Sequence, residues 1–366
     1  PGGFSADPDV LDTWAPSSLT PQLLGGWSRD EDFFSKVFPF DLRPQGHDII
    51  RTWLFSTVVR ANSLNDAAPW KHAGLSGWIL DPDRKKMSKS KGNVVVPSDI
   101  LGEAKPGFGP DAVRYWAASA KLGADTAYDV TQIQIGRRLA MKLLNASKFA
   151  LAQGVHSGLV GEIGAVTHDL DRALLKKLAE VVKTASTHMA AYDYAHALRA
   201  AESFFWEFTD DYVELVKDRS YGSTGEDDQL SAHVTLASAL DVLLRLFAPI
   251  MPFVTEEVWS WWRTGSVHRA PWPGDEQLAH PDSAVDPELL VSVAAVLSEI
   301  RRAKTESKVS QKTQVRSLTI HAPAAVVAAI DSARADLTAA GRVQHLTTEE
   351  YGEEITVTAI DFVEQD

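Results

Sequence analysis

The densest group of basic side chains in this sequence lies in one short segment. Its members are Arg84, Lys85, Lys86, Lys89 and Lys91. Serine and glycine residues lie among them, and these small residues keep a segment flexible and supply hydrogen-bond donors. Ammonium groups on a flexible loop can approach phosphate oxygens, so the segment is a candidate contact for a nucleotide or a nucleic acid. The alternative is a basic loop that is only solvated.

A second candidate segment spans residues 45–53 and contains a glycine and an acid two positions apart. Gly46 permits close approach of a ligand to the backbone. Asp48 lies where a strand is expected to end and a helix to begin, and ligands of doubly wound sheets bind at such strand ends. Asp48 could therefore contact a ligand, or it could simply cap the helix N-terminus.

Together these two segments resemble class I aminoacyl-tRNA synthetases. Residues 86–90 have the sequence Lys-Met-Ser-Lys-Ser of the family's KMSKS loop, and residues 45–53 resemble its GxDxxxxW segment. The resemblance implies an α/β, Rossmann-like domain that binds ATP together with Mg²⁺. It assigns catalysis to Lys86 and Lys89, with Lys89 the more critical. Cations of this kind lower the barrier because they stabilise the negative charge that develops on the α-phosphate.

The same resemblance implies a set of ATP-binding positions. Gly46 and Asp48 are assigned to the ribose, and the backbone of Ile79 and Leu80 is assigned to adenine. The complete set is Gly46, Asp48, Ile79, Leu80, Lys86, Met87, Ser88, Lys89 and Ser90.

A third motif, DVLDTWAPSSL at residues 9–19, resembles the DVLDTW..SS segment of the valyl enzymes. Isoleucyl enzymes typically have DVWFDSG here and leucyl enzymes DTFxxSS, so those two specificities are the less favoured alternatives. The resemblance implies that Trp14 and Ile49 form opposite walls of a valine pocket, although a core role is the alternative for Trp14. Such a pocket cannot strongly reject the isostere threonine, and the family's separate editing domain is not found in this sequence.

Residues 137–149 resemble the NKLYNAxRF helix that begins the anticodon-binding domain of this subclass. Lys142, Asn145 and Lys148 share roughly one helix face, with Phe149 nearby. RNA-binding proteins hold splayed bases by stacking and hydrogen bonding. The resemblance implies that these four residues bind tRNA, and a solvated helix face is the alternative. Residues 248–259 resemble the family pattern APxMPFxTEExW and are expected to be structural.

Hydrophobic spacing and turn residues predict the elements that position these segments. Residues 1–45 are rich in Pro, Gly and Asp and are expected to be irregular. A turn at residues 81–83 precedes the basic loop, and a linker is expected at residues 264–281. The predicted helices lie at residues 48–59, 110–120, 287–304 and 324–340, with a bundle over 131–262, and the predicted strands at 74–80, 315–320 and 355–360.

Three domains follow from these elements. Residues 1–128 are expected to form the C-terminal half of a class I synthetase catalytic domain, with the KMSKS loop. Residues 129–275 are expected to form an all-α helical bundle that binds the anticodon. Residues 276–366 are expected to form a small α+β domain.

The composition is that of a globular protein, with 45% hydrophobic and 23% charged residues. There are no cysteines, which excludes disulfides and thiolate-bound zinc, so no zinc site is expected. No apolar run is long enough to span a membrane, and a cytoplasmic location is expected. The net charge of −13 does not exclude tRNA as a partner, because phosphate contacts depend on local cations.

None of the 11 histidines lies in the His-x-Gly-His pattern that marks the first part of a class I catalytic domain. The chain also lacks an initiator methionine, so we expect it to be the C-terminal portion of a longer synthetase. The expected activity is activation of valine with ATP and its transfer to tRNA(Val), with the N-terminal part of the synthetase as a partner. The isolated chain is then expected to be inactive. The alternative is a non-catalytic tRNA-binding module.

Overall fold

The structure is a computed structural model that describes Gly3 and residues 13–102, 107–280 and 284–363. Residues 9–12 of the predicted valine motif lie outside this set. The chain divides into two compact units. Unit 1 comprises Pro1–Asp99 and Ala120–Val130, and unit 2 comprises Ile100–Ser119 and Thr131–Asp366. The division into three domains remains a prediction.

Unit 1 is built around two small parallel sheets. Strand β1 (Phe40–Gly46) pairs with β2 (Trp70–Ser76), and β3 (Ile79–Leu80) pairs with β4 (Thr126–Ala127). Parallel strands joined through a helix form a βαβ unit, and here α4 connects β1 to β2. The elements from residue 13 to residue 127, apart from α6, are α1 (Trp14–Ser17), α2 (Thr20–Gly25), α3 (Glu31–Val37), β1 (Phe40–Gly46), α4 (Phe55–Asn65), β2 (Trp70–Ser76), β3 (Ile79–Leu80), α5 (Pro97–Leu101) and β4 (Thr126–Ala127).

The chain leaves β1 through a continuous run of helical turns. A 3₁₀ turn at His47–Ile49 and a π turn at Ile50–Leu54 lead into α4. The predicted transition from strand to helix at residues 46–48 is therefore confirmed. Turns of the π type are frequent at functional sites.

Two expectations for unit 1 are wrong. Residues 1–45 were expected to be irregular, yet they contain α1, α2, α3 and most of β1. The single strand expected at residues 74–80 is two strands, because the chain changes pairing partner at Gly77. A Cβ at Gly77 would lie 2.3 Å from the carbonyl oxygen of Ala124, so only glycine fits this approach.

Unit 2 begins with the helical bundle. A π turn at Phe208–Tyr212 joins α9 to α10. The helices are α6 (Pro110–Ala118), α7 (Val130–Ala152), α8 (Asp169–Ala190), α9 (Tyr194–Glu207), α10 (Val213–Leu215), α11 (Lys217–Ser220), α12 (Glu226–Phe247) and α13 (Pro252–Ser260).

Helix α12 is the core of the bundle. Every residue from position 231 to position 247 is buried, including the charged Asp241 and Arg245, so the helix is surrounded on all sides. Among the described residues it is also the one helix that is long and apolar enough to cross a membrane, and 94% of its apolar window is buried inside the protein. Burial by the surrounding helices accounts for its composition.

The motif at residues 248–259 has structural contacts, as its pattern predicts. Asp111, in the first turn of α6, accepts hydrogen bonds from the N–H groups of Phe253 (3.1 Å) and Val254 (2.7 Å) and so caps α13. Arg114 donates to the carbonyl oxygens of Pro249 (2.7 Å) and Ile250 (3.0 Å). These bonds fix the turn between α12 and α13.

The C-terminal part of unit 2 is a three-stranded sheet with helices. The order is β6-β5-β7, with β5 parallel to β6 and antiparallel to β7. The elements are α14 (Leu289–Glu306), β5 (Val315–Ala322), α15 (Ala324–Ser332), α16 (Arg334–Gly341), β6 (Val343–Glu350) and β7 (Thr356–Phe362). Helices and strands are mixed in this part of the chain, as the sequence predicts. The helix expected at 324–340, however, is broken at Ala333, and the polar edge strand β6 is not predicted. The expected linker contains 3₁₀ turns at Val267–Arg269 and Asp275–Leu278.

A buried charge cluster joins the bundle to this C-terminal part. The guanidinium of Arg219 makes two hydrogen bonds of 2.7 Å to Asp171 in α8 and two of 3.0 Å to Asp336 in α16. Tyr212 and Ser231 also donate to Asp171. Burial by itself would lower the pKa of Arg219. The hydrogen bonds to the carboxylates of Asp171 and Asp336 outweigh this effect, so the pKa of Arg219 is raised. Burial also raises the pKa of Asp336, and Arg219 partly offsets that effect.

We expect Asp171→Ala to lower the free energy of unfolding by about 3–5 kcal/mol, because it leaves a buried cation with one partner fewer. Urea denaturation followed by tryptophan fluorescence measures this. The control is Asp361→Ala, which removes the exposed ion pair with Arg316 (2.8 Å) and should cost less than about 1 kcal/mol. Equal losses for the two variants would contradict a special role for the buried cluster.

Candidate functional site

Trp78 is the point where the two predicted nucleotide segments meet in unit 1. It lies in the break between β2 and β3, and its backbone N–H donates to the carboxylate of Asp125 over 2.7 Å. The imidazole of His47 contacts the indole edge to face, with ring centroids 4.9 Å apart. The ammonium of Lys86 lies 3.6 Å from the centroid of the indole ring. The turn that bears Asp48 and the lysine loop therefore share one aromatic side chain.

The lysine loop is closed by the side chain of Asn93. Its amide nitrogen donates to Asp81 (2.8 Å) and to the carbonyl oxygen of Lys86 (3.3 Å), and its amide oxygen accepts from the N–H of Ser88 (2.9 Å). Asp81 also accepts from the N–H of Lys85 (2.7 Å). The hydrogen bond from Asn93, and next that from Lys85, hold the pKa of Asp81 below its usual range. The loop is thus folded around the carboxylate of Asp81.

The remaining loop positions differ in exposure. Lys89 begins a 3₁₀ turn, Lys89–Lys91, and is exposed, as is Ser90. Met87 and Ser88 are half-buried, and the hydroxyls of Ser88 and Ser90 are 3.2 Å apart. The structure therefore presents Lys89 to solvent while Lys86 rests on Trp78.

Gly46 and Asp48 are in direct contact. A Cβ at Gly46 would lie 2.7 Å from a carboxylate oxygen of Asp48, so any larger residue at position 46 would require the Asp48 side chain to move. Gly46 is itself the N-cap residue of the 3₁₀ turn, and Asp48 lies inside that turn with an exposed side chain. The alternative of Asp48 as a helix N-cap is therefore not seen.

The predicted adenine contacts lie on β3, where Ile79 is exposed and Leu80 half-buried. The carbonyl oxygen of Leu80 accepts from the N–H of Tyr128 (2.8 Å), so it belongs to the pairing with β4. Backbone groups of successive strand residues point to opposite edges. The backbone N–H and C=O groups of Ile79 are therefore directed away from β4.

The predicted pocket walls lie on two segments that pack together. Helix α1, which begins at Trp14, contacts the π turn that follows Ile49. The indole N–H of Trp53 in that turn donates to the carbonyl oxygen of Ser17 (2.7 Å), which fixes α1 in place. Trp14 and Ile49 are both half-buried.

The predicted anticodon face lies on α7 in unit 2. Lys142 forms an ion pair of 2.7 Å with Asp210, and Asn145 is exposed. The ammonium of Lys148 lies 5.7 Å from the ring centroid of Trp261. Lys142 and Lys148 therefore contact different partners, and their role toward tRNA remains a prediction.

Phe149 takes part in a second aromatic and cationic group. Its ring meets Tyr221 edge to face at 6.4 Å, and the ammonium of Lys217 lies 5.8 Å from its centroid. Tyr221 and Trp261 are 59% and 37% exposed, which is high for large aromatic side chains. Sequence reasoning missed both of these residues, as well as Trp78 and Asn93, because no periodic pattern marks an exposed aromatic or a loop amide.

Two family models match the chain. Residues 2–129 match the model "tRNA synthetases class I (I, L, M and V)", and residues 171–320 match "Anticodon-binding domain of tRNA ligase". The solved LeuRS in a ternary complex with tRNA and LeuAMS from Agrobacterium radiobacter K84 has a similar fold, with a TM-score of 0.60 and 22% identity over 75% of this chain and 34% of that one. The two matched models thus assign the chain to the class I aminoacyl-tRNA synthetases.

The curated relatives narrow the class. Valine--tRNA ligase of Thermobifida fusca (strain YX) is 55% identical over 349 residues, which is 95% of this chain and 39% of the relative. The same enzyme of Salinispora arenicola (strain CNS-205) is 52% identical over 366 residues, 96% and 42% of the two chains. The chain belongs to the valine--tRNA ligase family. It spans about two fifths of the length of these relatives.

We expect Asn93→Ala to loosen the lysine loop, because it removes three hydrogen bonds and leaves Asp81 with fewer donors. A loss of about 1–2 kcal/mol corresponds to roughly 5- to 30-fold faster hydrogen exchange at the Ser88 amide. Limited trypsin cleavage after Lys86 should accelerate in parallel. Asn62→Ala, at an exposed position of α4, is the control and should change neither rate. Unchanged exchange in the Asn93 variant would show that the amide does not close the loop.

Proposed function

We propose that this chain supplies the nucleotide loop and the anticodon-binding part of a valine--tRNA ligase. The ligase activates valine with ATP and transfers it to tRNA(Val). The observation that supports this most strongly is the shared contact at Trp78, which brings the Gly46–Asp48 turn and the KMSKS loop to one place. A loop that served only as a basic surface would have no need of an acid-bearing turn beside it.

In the proposed reaction a carboxylate oxygen of valine attacks the α-phosphorus of ATP. The bond to the bridging oxygen of the β-phosphate breaks, and pyrophosphate leaves. Lys86 and Lys89 stabilise the negative charge that develops on the phosphate oxygens. Gly46 and Asp48 hold the ribose, and β3 lies against adenine, with the backbone of Ile79 directed to it and Leu80 beside it. Mg²⁺ that arrives with ATP neutralises part of the phosphate charge.

Lys86 must leave Trp78 to reach a phosphate. A cation–π contact at an exposed site contributes about 0.5–1 kcal/mol. A hydrogen bond from an ammonium to a charged phosphate contributes about 1.5–3 kcal/mol. The phosphate therefore displaces the ring, and Trp78 acts as a resting place that keeps the lysine near the site until ATP is present.

The valine pocket is proposed to lie between Trp14 and Ile49. Trp14 lies on α1 and Ile49 directly precedes the π turn, and these two segments are joined by the hydrogen bond from Trp53 to Ser17. A flat indole opposite a branched side chain leaves room for a small branched substrate. Exclusion of isoleucine then depends on the missing space for one methylene, which accounts for only about 1–3 kcal/mol.

The tRNA face is proposed to comprise Lys142, Asn145, Lys148 and Phe149 on α7. The exposed rings of Tyr221 and Trp261 extend it, since splayed bases stack on aromatic side chains. The N-terminal part of the synthetase is the second proposed partner, and the proposed location is the cytoplasm. We further propose that residues 1–128, 129–275 and 276–366 act as a catalytic half-domain, an anticodon domain and a small C-terminal domain.

Pyrophosphate exchange tests the nucleotide role. A full-length synthetase that contains this sequence should exchange with valine, and Lys89→Ala should lower the rate by about 100-fold or more. Lys91→Ala, in the same turn but outside the KMSKS pentapeptide, should retain most of the activity. Equal losses in both variants would show that the loop contributes only positive charge and that Lys89 has no specific role. Better exchange with isoleucine than with valine would overturn the pocket.

Binding of tRNA(Val), measured by filter retention at several salt concentrations, tests the anticodon face. Phe149→Ala should weaken binding by about 1–3 kcal/mol if a base stacks there. Lys148→Ala should reduce the salt slope by about one, whereas Lys142→Ala should act less because Asp210 already neutralises it. Lys183→Ala is the control, because Lys183 lies on α8 and already forms an ion pair with Asp275. Affinity that is the same for all tRNAs would contradict recognition at this face.

A further inference from the structure

The corner between α8 and α9 brings two histidines and an aspartate together. Helix α8 ends at Ala190 and α9 begins at Tyr194. The backbone reverses at Tyr192, whose φ is +59°, and the N–H of Asp193 then donates to the carbonyl oxygen of His188 over 2.8 Å. This tight turn places the imidazole of His188 against the first turn of α9, where His196 lies.

The donor atoms of the three side chains converge. One carboxylate oxygen of Asp193 is 2.7 Å from Nδ1 of His196 and 3.3 Å from Nδ1 of His188. The two imidazole rings stack with centroids 5.2 Å apart and an interplanar angle of 22°. One possible ligand atom from each residue lies within 4.8 Å of the others. All three side chains are half-exposed, so an ion can reach them from solvent.

The separations are close to those of a metal site. Metal–nitrogen and metal–oxygen bonds of about 2.0–2.2 Å with tetrahedral angles place ligand atoms about 3.3 Å apart. The two distances from Asp193 already lie within about 0.6 Å of that value. Exposed imidazoles can rotate to close the remaining gap, and water can complete the coordination.

The carboxylate is held ready for a cation. Asp193 is the N-cap residue of α9 and accepts from the N–H of His196. A carboxylate between two imidazoles is a donor set that suits late first-row divalent metals more than Mg²⁺.

We propose that His188, Asp193 and His196 form a binding site for an imidazole-preferring divalent cation such as Ni²⁺ or Cu²⁺. The expectation that the chain has no zinc site concerned cysteine ligands, and this donor set is different. A bound ion links the last turn of α8 to the first turn of α9 and so stabilises the corner of the bundle. The site does not depend on the synthetase reaction.

Isothermal titration of the whole chain with Ni²⁺ tests the proposal, with Mg²⁺ as the hard-cation comparison. We expect one Ni²⁺ per chain, no comparable Mg²⁺ binding, and a rise in melting temperature with Ni²⁺. His188→Ala and His196→Ala should each weaken binding by at least about tenfold and abolish the thermal shift. Asp193→Asn, which preserves an N-cap side chain, should also weaken binding.

The matched control is His345→Ala, which removes an exposed histidine from β6 and should leave the affinity unchanged. Paramagnetic broadening by Ni²⁺ should be centred on residues 188–196. The proposal is overturned if the wild-type chain binds no stoichiometric Ni²⁺, if the His196 variant binds as tightly as the wild type, or if broadening is centred elsewhere. In that case the cluster is only a hydrogen-bonded helix cap.

Discussion

The contact of Lys86 with the indole of Trp78 links the parts of the proposed nucleotide site. Trp78 is anchored through Asp125 and also contacts His47, so the ring relates the strand-end turn to the lysine loop. A cation–π contact at an exposed site is weak, whereas the hydrogen bonds of Asn93 hold the base of the loop, so the structure is compatible with the proposed release of Lys86 to a phosphate. A loop with a fixed base and a releasable lysine suits a reaction in which charge develops only in the transition state.

In the helical unit the charged side chains are either buried in a cluster or paired on the surface. Arg219, Asp171 and Asp336 are buried, and Arg219 donates to both carboxylates, so this cluster ties α8, α11 and α16 together. On the surface, Lys142 is neutralised by Asp210, whereas Lys148 and Phe149 lie beside exposed aromatic rings. An acidic chain can thus still offer tRNA a local surface of cations and rings.

Much of the candidate site followed from linear motifs. The KMSKS pentapeptide and the Gly46-x-Asp48 pair are contiguous, so their residue types can be recognised without a fold. The change from strand to helix after Gly46 and the helices of the bundle also follow local rules of spacing and capping. The roles of these residues toward ATP, valine and tRNA remain predictions.

The sequence by itself determined the family, the position of the lysine loop and the helical character of the middle of the chain, because each depends on neighbouring residues. Only the tertiary structure decided that Trp78 joins two motifs, that Asn93 closes the loop and that Lys142 is paired with Asp210. The break at Gly77 and the edge strand β6 were decided in the same way. All of these depend on partners distant in sequence, and the periodicity of a segment carries no information about which distant residue it will meet.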